Sequence, residues 1–353
     1  MSLLLEGTNA AEVNAAISAE RHRLGATSTG MVLTFVIITD ELHQSEATRA
    51  ATFSANQHPC RIIVVTPRPA RGKPQLDAEV WVGDREGPGE TVKLRLKGPL
   101  AHQQASVVLP LLLPDTPVVV WWPALSPDLP ADDSVGRMAN RRITDTSMAR
   151  KPLDELEKRI ANYHPGDTDL AWTRTTPWRS VLATALDEPY EAIVGATVSA
   201  ERNNPSAQLL AGWLQAKLKV PVSVKNSRGP GITAVALQTK GGEIRLDRAD
   251  GRMASLNRTQ GISRKIPLPR RELRDLVSEE LRRLDSDEVY AEALAELAKG
   301  LGEPTKARRT TKPTPTSSKV AIPPAATKTT RATKTSARKP PKAPRQSRKK
   351  ATT

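Results

Sequence analysis

The 353 residues carry 53 Lys and Arg against 38 Asp and Glu, a formal net charge of +15. Fifteen of those bases and one acid, Glu303, lie from Leu301 to Thr353, so the first 300 residues are nearly neutral and the pI of about 10.1 belongs to the tail. This excludes a body that binds nucleic acid through a general basic charge, and the lone Cys60 excludes an intrachain disulfide and points to a reducing compartment. The opening Met1–Glu6 has no basic run, and its apolar stretch is too short for a secretory signal. The most apolar segment, Val107–Trp122, is interrupted by Pro110, Pro114, Asp115 and Pro117, so it is not a spanning helix of about 20 residues. The expectation is a soluble, cytoplasmic protein with no membrane partner.

In chain order, Asn9–Leu24 reads as a helix with Val13, Ala16, Ile17 and Leu24 on one side. Met31–Thr39 and Cys60–Thr66 are nearly continuous apolar, β-branched runs, which suit strands buried on both faces. Glu41–Asn56 between them suits a helix, giving a βαβ-like start. Leu76–Val82 and Thr91–Leu96 alternate like half-exposed strands, joined by a turn containing Gly83, Gly87, Pro88 and Gly89. Leu100–Leu113 is expected to be helical up to the limit set by Pro110, and Pro117–Trp122 to be another buried strand. The polar stretch Asp132–Tyr163 is expected to be largely helical, with Pro152 in a first turn.

Thr176 and Pro177 mark the cap and first position of a helix whose stripe is Trp178, Val181, Leu182, Ala185 and Leu186. Ala192–Ser199 reads as a strand. Asn204 and Pro205 open a helix with Leu209, Leu210, Trp213, Leu214 and Leu218 inward. Short strands follow near Val222, at Ile232–Gln238, Ile244–Asp247 and Ile262–Leu268. Two helices close the body, one with Leu273, Leu276, Val277, Leu281 and Leu284 inward, the other with Tyr290, Leu294 and Leu297. From Leu301 the chain has eight prolines, no aromatics and many Lys, Ala and Thr, a composition expected to stay disordered. The reading is therefore α/β or α+β: two mixed-sheet, sandwich-type domains with flanking helices at 1–165 and 166–300, then the basic tail 301–353.

Catalytic signatures are near misses. Gly25 and Gly30 have P-loop spacing, but Met31 and Val32 stand where Lys and Ser or Thr are needed, and a strand follows. Gly229-Pro-Gly231 likewise precedes a strand and reads as a hairpin turn. The five histidines are scattered, without local metal-ligand spacing. Cys60 abuts a buried strand and reads as a small core residue. No cofactor, metal or catalytic residue is expected from these patterns.

The remaining signal is of the interaction type. Arg141 and Arg142 put two guanidinium groups side by side, able to clamp an anion or to pair with nearby acids such as Asp145. Asp167, Asp169, Trp172, Arg174, Trp178 and Arg179 crowd into 13 residues, although only 3% of the chain is aromatic. Trp and Arg mark protein–protein hot spots; the same residues also serve as core and internal ion pairs. Trp121 and Trp122 must point to opposite faces of a strand, one into the core and the other available as a surface anchor. Asp167 and Asp169 with the arginine pair also raise an acid–base enzyme acting on a sugar phosphate as a weaker reading.

The strings His58–Val65, Leu111–Pro123, Arg141–Asp145, Gly166–Arg179 and Asn204–Trp213 together resemble the OpcA family of glucose-6-phosphate dehydrogenase assembly proteins. The resemblance implies a non-enzymatic partner of glucose-6-phosphate dehydrogenase that favours its active oligomer or raises its activity, feeding the oxidative pentose phosphate pathway and NADPH supply. It makes Trp121, Trp122, Arg141, Arg142, Asp167, Asp169, Trp172, Arg174 and Arg179 candidate partner-contact or scaffold positions. Replacing Arg142 or Arg174 by Ala is then expected to weaken activation with the fold intact. Cysteine redox chemistry tunes some members, but Cys60 alone provides no dithiol switch within one chain. The alternative from another class is association with nucleic acid through the basic tail, which would be non-specific and salt-sensitive.

Overall fold

The computed structural model describes residues 2–24, 30–83, 89–259 and 261–301. Most of the Gly25–Gly30 pattern, most of the turn between Val82 and Gly89, and the disorder expected of the tail lie outside the described residues. The described part holds two sheets and nine α-helices.

The first sheet has eight strands, β1 (Leu3–Thr8), β2 (Leu33–Ile38), β3 (Cys60–Arg68), β4 (Gln75–Val82), β5 (Gly89–Lys97), β6 (Val118–Trp121), β7 (Arg141–Thr144) and β8 (Asp167–Asp169). Their order is β1-β4-β5-β3-β2-β6-β7-β8. From β5 to β8 all pairings are parallel; β4 and β1 add an antiparallel edge. The apolar runs explain the parallel centre, because β2, β3 and β6 must fill a core on each side. One face, with Val36, Ile38, Ile63, Val65, Val120 and Trp122, packs on Val13 and Ile17 of α1 (Ala10–Leu24). Asn9 Oδ1 caps α1 by accepting the Glu12 N–H at 3.0 Å.

The other face, with Leu33, Phe35, Ile37, Ile62, Val64, Val119 and Trp121, is covered by α2 (Glu41–Ala55). Ala47, Ala50, Ala51 and Ala55 let α2 lie close. That layer is completed by α8 (Leu273–Arg282), whose Leu276, Val277 and Leu281 join the same core and whose Ser278 hydroxyl meets that of Ser54 at 2.9 Å. The C-terminal part of the chain thus returns to roof the first sheet.

The second sheet has strands β9 (Ile193–Ala200), β10 (Val222–Asn226), β11 (Ile232–Thr239), β12 (Gly242–Asp247), β13 (Met253–Arg258) and β14 (Arg264–Pro267), in the order β10-β9-β11-β12-β13-β14. Only β10 and β9 run parallel. Its core side packs on α6 (Thr176–Ala185) and α7 (Pro205–Leu218). Asn204 Oδ1 caps α7 through the Ala207 N–H at 2.9 Å, as its sequence foretells. α9 (Glu288–Gly300) lies against α7 at Gly212, where a Cβ would stand 2.7 Å from the Ala293 carbonyl and from Leu297 Cγ.

Three expectations are corrected. Between Asp132 and Tyr163 the only α-helix is α4 (Pro152–Ala161); Arg141–Thr144, expected on a helix, is a fully buried strand. The segment Leu100–Leu113 breaks into α3 (Gln104–Val108) flanked by 3-10 turns at Gly98–His102 and Leu109–Leu111, the second containing Pro110. Thr175, not Thr176, stands at the cap position of α6 and makes no side-chain cap bond; Thr176 donates its hydroxyl to Glu279 at 2.8 Å. Strands β1, β8 and β13 are additions to the elements expected from sequence.

Candidate functional site

Strand β7 presents Arg141 and Arg142 to opposite sides of the sheet, both buried. Arg141 donates from Nε and Nη2 to Glu280 Oε2 of α8, at 3.0 and 2.5 Å, and from Nη1 to the Asp285 carbonyl at 2.7 Å. Glu280 Oε1 accepts the Thr173 hydroxyl at 2.5 Å. Arg142 donates to Asp167 Oδ1 at 2.5 Å and to the carbonyls of Ala139 and Pro165. Asp167 sits opposite Arg142 in the β7–β8 register, and its second oxygen accepts the His164 N–H. Gly166, at φ +92°, makes room here: a Cβ would lie 2.6 Å from the Asn140 carbonyl. These guanidinium groups are engaged internally and offer no open anion clamp.

Asp169 is fully buried and accepts from the Thr144 hydroxyl at 2.6 Å, from the Thr146 N–H and hydroxyl, and from the Ala171 N–H at 2.8 Å. Burial, reinforced by the nearby Asp145 charge, raises its carboxyl pKa above the ordinary value. Asp145 is held bidentately by Arg174, Nη1 to Oδ1 at 2.7 Å and Nη2 to Oδ2 at 2.8 Å. Arg174 remains partly exposed while Asp145 is buried.

The indole of Trp172, on the short helix α5 (Leu170–Thr173), lies between the Arg179 guanidinium, 3.7 Å from its ring centre, and Tyr290 at 5.6 Å. Trp172 Nε1 donates to Asp287 Oδ2 at 2.7 Å, and Asp287 Oδ1 caps α9 through the Tyr290 N–H. Arg179 donates to the hydroxyls of Thr175 and Thr176. Trp178 is buried in the second sheet's core.

Trp121 and Trp122 do face opposite sides, Trp121 stacked on Phe35 at 6.0 Å. The surface-anchor expectation for either is overturned: Trp122 is 2% exposed because the Val135–Gly136 segment closes over it, a Gly136 Cβ lying 3.2 Å from its ring. Seven of the nine candidate positions are thus buried, on both faces of the first sheet and in α5, and Arg174 and Arg179 are partly exposed. Among the described residues no group of three or more His, Cys, Asp or Glu side chains could hold a metal ion, and no helix is long and apolar enough to cross a membrane. Cys60 is buried, and burial alone pushes its thiol pKa up to about 12.

A feature that sequence reading missed is a cleft of about 380 Å³ between the start of α6, the start of α7 and the 269–271 segment, lined by Arg174, Arg202, Arg248, Arg270 and Arg271. These arginines are dispersed along the chain, and only the Arg270-Arg271 pair leaves a local trace.

Two family models match the chain in succession. Residues 51–161 match the N-terminal domain, and residues 165–294 the C-terminal domain, of the family described as a glucose-6-phosphate dehydrogenase subunit. The OxPP cycle protein OpcA of Synechocystis sp. is 28% identical over 205 residues, covering 53% of this chain and 42% of that protein. Its namesake from Synechococcus elongatus is 28% identical over 193 residues, covering 50% and 43%. The match thus spans less than half the length of these curated relatives. A 3-ketoreductase from Actinomadura kijaniata is similar at TM-score 0.44 and 10% identity, covering 75% of this chain and 94% of that one. At that level neither its chemistry nor its ligands carry over.

Proposed function

The chain belongs to the OpcA family, and from that premise we propose that it is a non-enzymatic assembly factor and activator of glucose-6-phosphate dehydrogenase. The observation that carries this reading is the consecutive match, in order, to both domains of that family, at 51–161 and 165–294. Within the site, Arg141 pairs with Glu280, Arg142 with Asp167 and Arg174 with Asp145, an arrangement that suits a scaffold. The proposal assigns Trp121, Trp122, Arg141, Arg142, Asp167, Asp169 and Trp172 to the scaffold that fixes the helices on the sheets. It keeps Arg174 and Arg179, at the rim, as candidate contact positions. The single buried cysteine suits a cytoplasmic setting.

An activator acts by binding the active form of its partner more tightly than the inactive form; a tenfold preference corresponds to about 1.4 kcal/mol. The test is a steady-state assay of the dehydrogenase from the same cell, with and without this chain, across glucose 6-phosphate concentrations. A higher kcat or a lower KM at stoichiometric amounts is expected, and it should survive removal of residues 301–353. Unchanged kinetics, with both proteins folded and mixed at micromolar levels, would sink the proposal.

A further inference from the structure

The arginine-lined cleft carries an excess of positive charge that the protein does not neutralise. Five arginines line it against one acid, Glu201, which accepts from Asn204 Nδ2 at 3.0 Å. Arg174 and Arg271 are paired with Asp145 and Glu279. Arg202 and Arg270 are exposed and pair with no carboxylate among the described residues. Arg248 is the telling member. It is only 5% exposed, its Nη1 and Nη2 donate to the carbonyls of Leu268 and Ile232, and its Nε has no hydrogen-bond partner among the described residues.

Burying a guanidinium without a counter-ion is costly. Here burial, and then the neighbouring Arg270 charge, push its pKa down to about 10, although Asp250 opposes the shift. The cation lies 4.8 Å over the Trp178 ring, a contact that stabilises it without neutralising it.

The N-terminus of the 14-residue helix α7 opens into the same cleft through Asn204, Pro205 and Ser206. Asn204 takes the Ala207 N–H and Pro205 has none, so the buried Ser206 supplies the remaining donor of that turn, where the helix dipole favours negative charge. Trp178 and Pro269 add apolar wall beside the charges. A concave pocket of this size with convergent cations and an apolar side fits a small molecule better than a macromolecular surface.

We propose that this cleft binds a small organic phosphate, its phosphate group held by Arg248, Arg202, Arg270 and the start of α7, and its organic part resting against Trp178 and Pro269. The site borders the scaffold network at Arg174, which is paired with Asp145, and does not depend on the dehydrogenase assignment.

The test is calorimetric titration of the full chain with inorganic phosphate, glucose 6-phosphate and adenosine monophosphate, at about 150 mM salt to screen the basic tail. The expected result is saturable binding of at least one ester, with a Kd below about 1 mM, and at least a tenfold loss of affinity in an Arg202→Glu/Arg270→Glu double variant of unchanged melting temperature. Arg248→Met should lose affinity similarly. Absence of saturation with all three probes up to about 10 mM overturns the proposal. So does binding that the double variant leaves intact, which would put the anion on the tail. Capture of an acidic peptide that no phosphate ester displaces would also overturn it, making the cleft a protein contact.

Discussion

Arg141 and Glu280 are 139 positions apart in sequence, yet both are buried and joined by two hydrogen bonds at 3.0 and 2.5 Å. The pair locks α8 onto β7, next to the edge of the first sheet, and Thr173 completes it from α5. Removing one member leaves an uncompensated charge inside the protein, a larger penalty than the pair's own net contribution.

Glu280→Ala is therefore expected to destabilise the fold by about 3–5 kcal/mol in urea denaturation, and Arg141→Met with Glu280→Leu together to recover much of that loss. If the double variant is no more stable than the single one, the pair is favourable in its own right.

Arg142→Ala strands Asp167 in the same way. The expected outcome is loss of about 3 kcal/mol or more of stability, so weakened activation by this variant would come with a lower melting temperature. Arg174→Ala leaves the 1% exposed Asp145 without its guanidinium, so a loss of stability is expected here too; a drop in activation larger than the loss of folded fraction would mark Arg174 as a contact position.

Asp77 contributes to the acid side of the stability curve. Burial raises its pKa, but the Lys97 ammonium, the Gln75 amide and the Gly7 N–H outweigh this and hold it at about 2. The folded value lies below the ordinary 3.8, so the stabilisation is present above pH 3.8 and is lost as pH falls toward 2. Asp77→Asn should cost roughly 2 kcal/mol at neutral pH and flatten the wild-type slope in that window. An unchanged slope in the variant would assign the acid transition to another group.

Cys60, with the buried Tyr290, contributes to the alkaline side. Its folded pKa of about 12 lies above the ordinary 9.0, so its contribution is full below pH 9 and is lost as pH rises toward 12. The native thiol should resist alkylation at pH 8 and react only in denaturant; rapid labelling of the folded chain would contradict its burial.

Gly212→Val should push α9 away from α7, since the added Cβ meets backbone at Ala293, with a cost of about 1–3 kcal/mol by thermal unfolding. An equally stable variant would show that α9 can shift freely.

Much of the fold is legible in the chain because its signals are local. The runs at β2, β3 and β6 declare buried strands, and Asn204-Pro205 declares a helix start. Arg141-Arg142-Ile-Thr does not declare a strand, because the groups that neutralise it, Glu280 and Asp167, lie elsewhere in sequence. Asp167-Thr-Asp169 has the composition of a turn and becomes β8 only through its pairing with β7. The alternation of Trp121 and Trp122 is readable, but the segment that covers Trp122 is not. The arginine cleft is illegible for the same reason: Arg202, Arg248 and Arg270 meet only in the folded chain.

The roofing of the first sheet by α8 also sets a schedule. Leu33, Phe35 and Trp121 are made early, whereas Leu276, Val277 and Leu281 leave the ribosome about 150 residues after Trp121, a delay of roughly 8–30 s at ordinary elongation rates. Throughout that interval one apolar face of the nascent sheet lacks its second helix. The chain must therefore finish this layer late in synthesis or after release, when α8 becomes available to cover it.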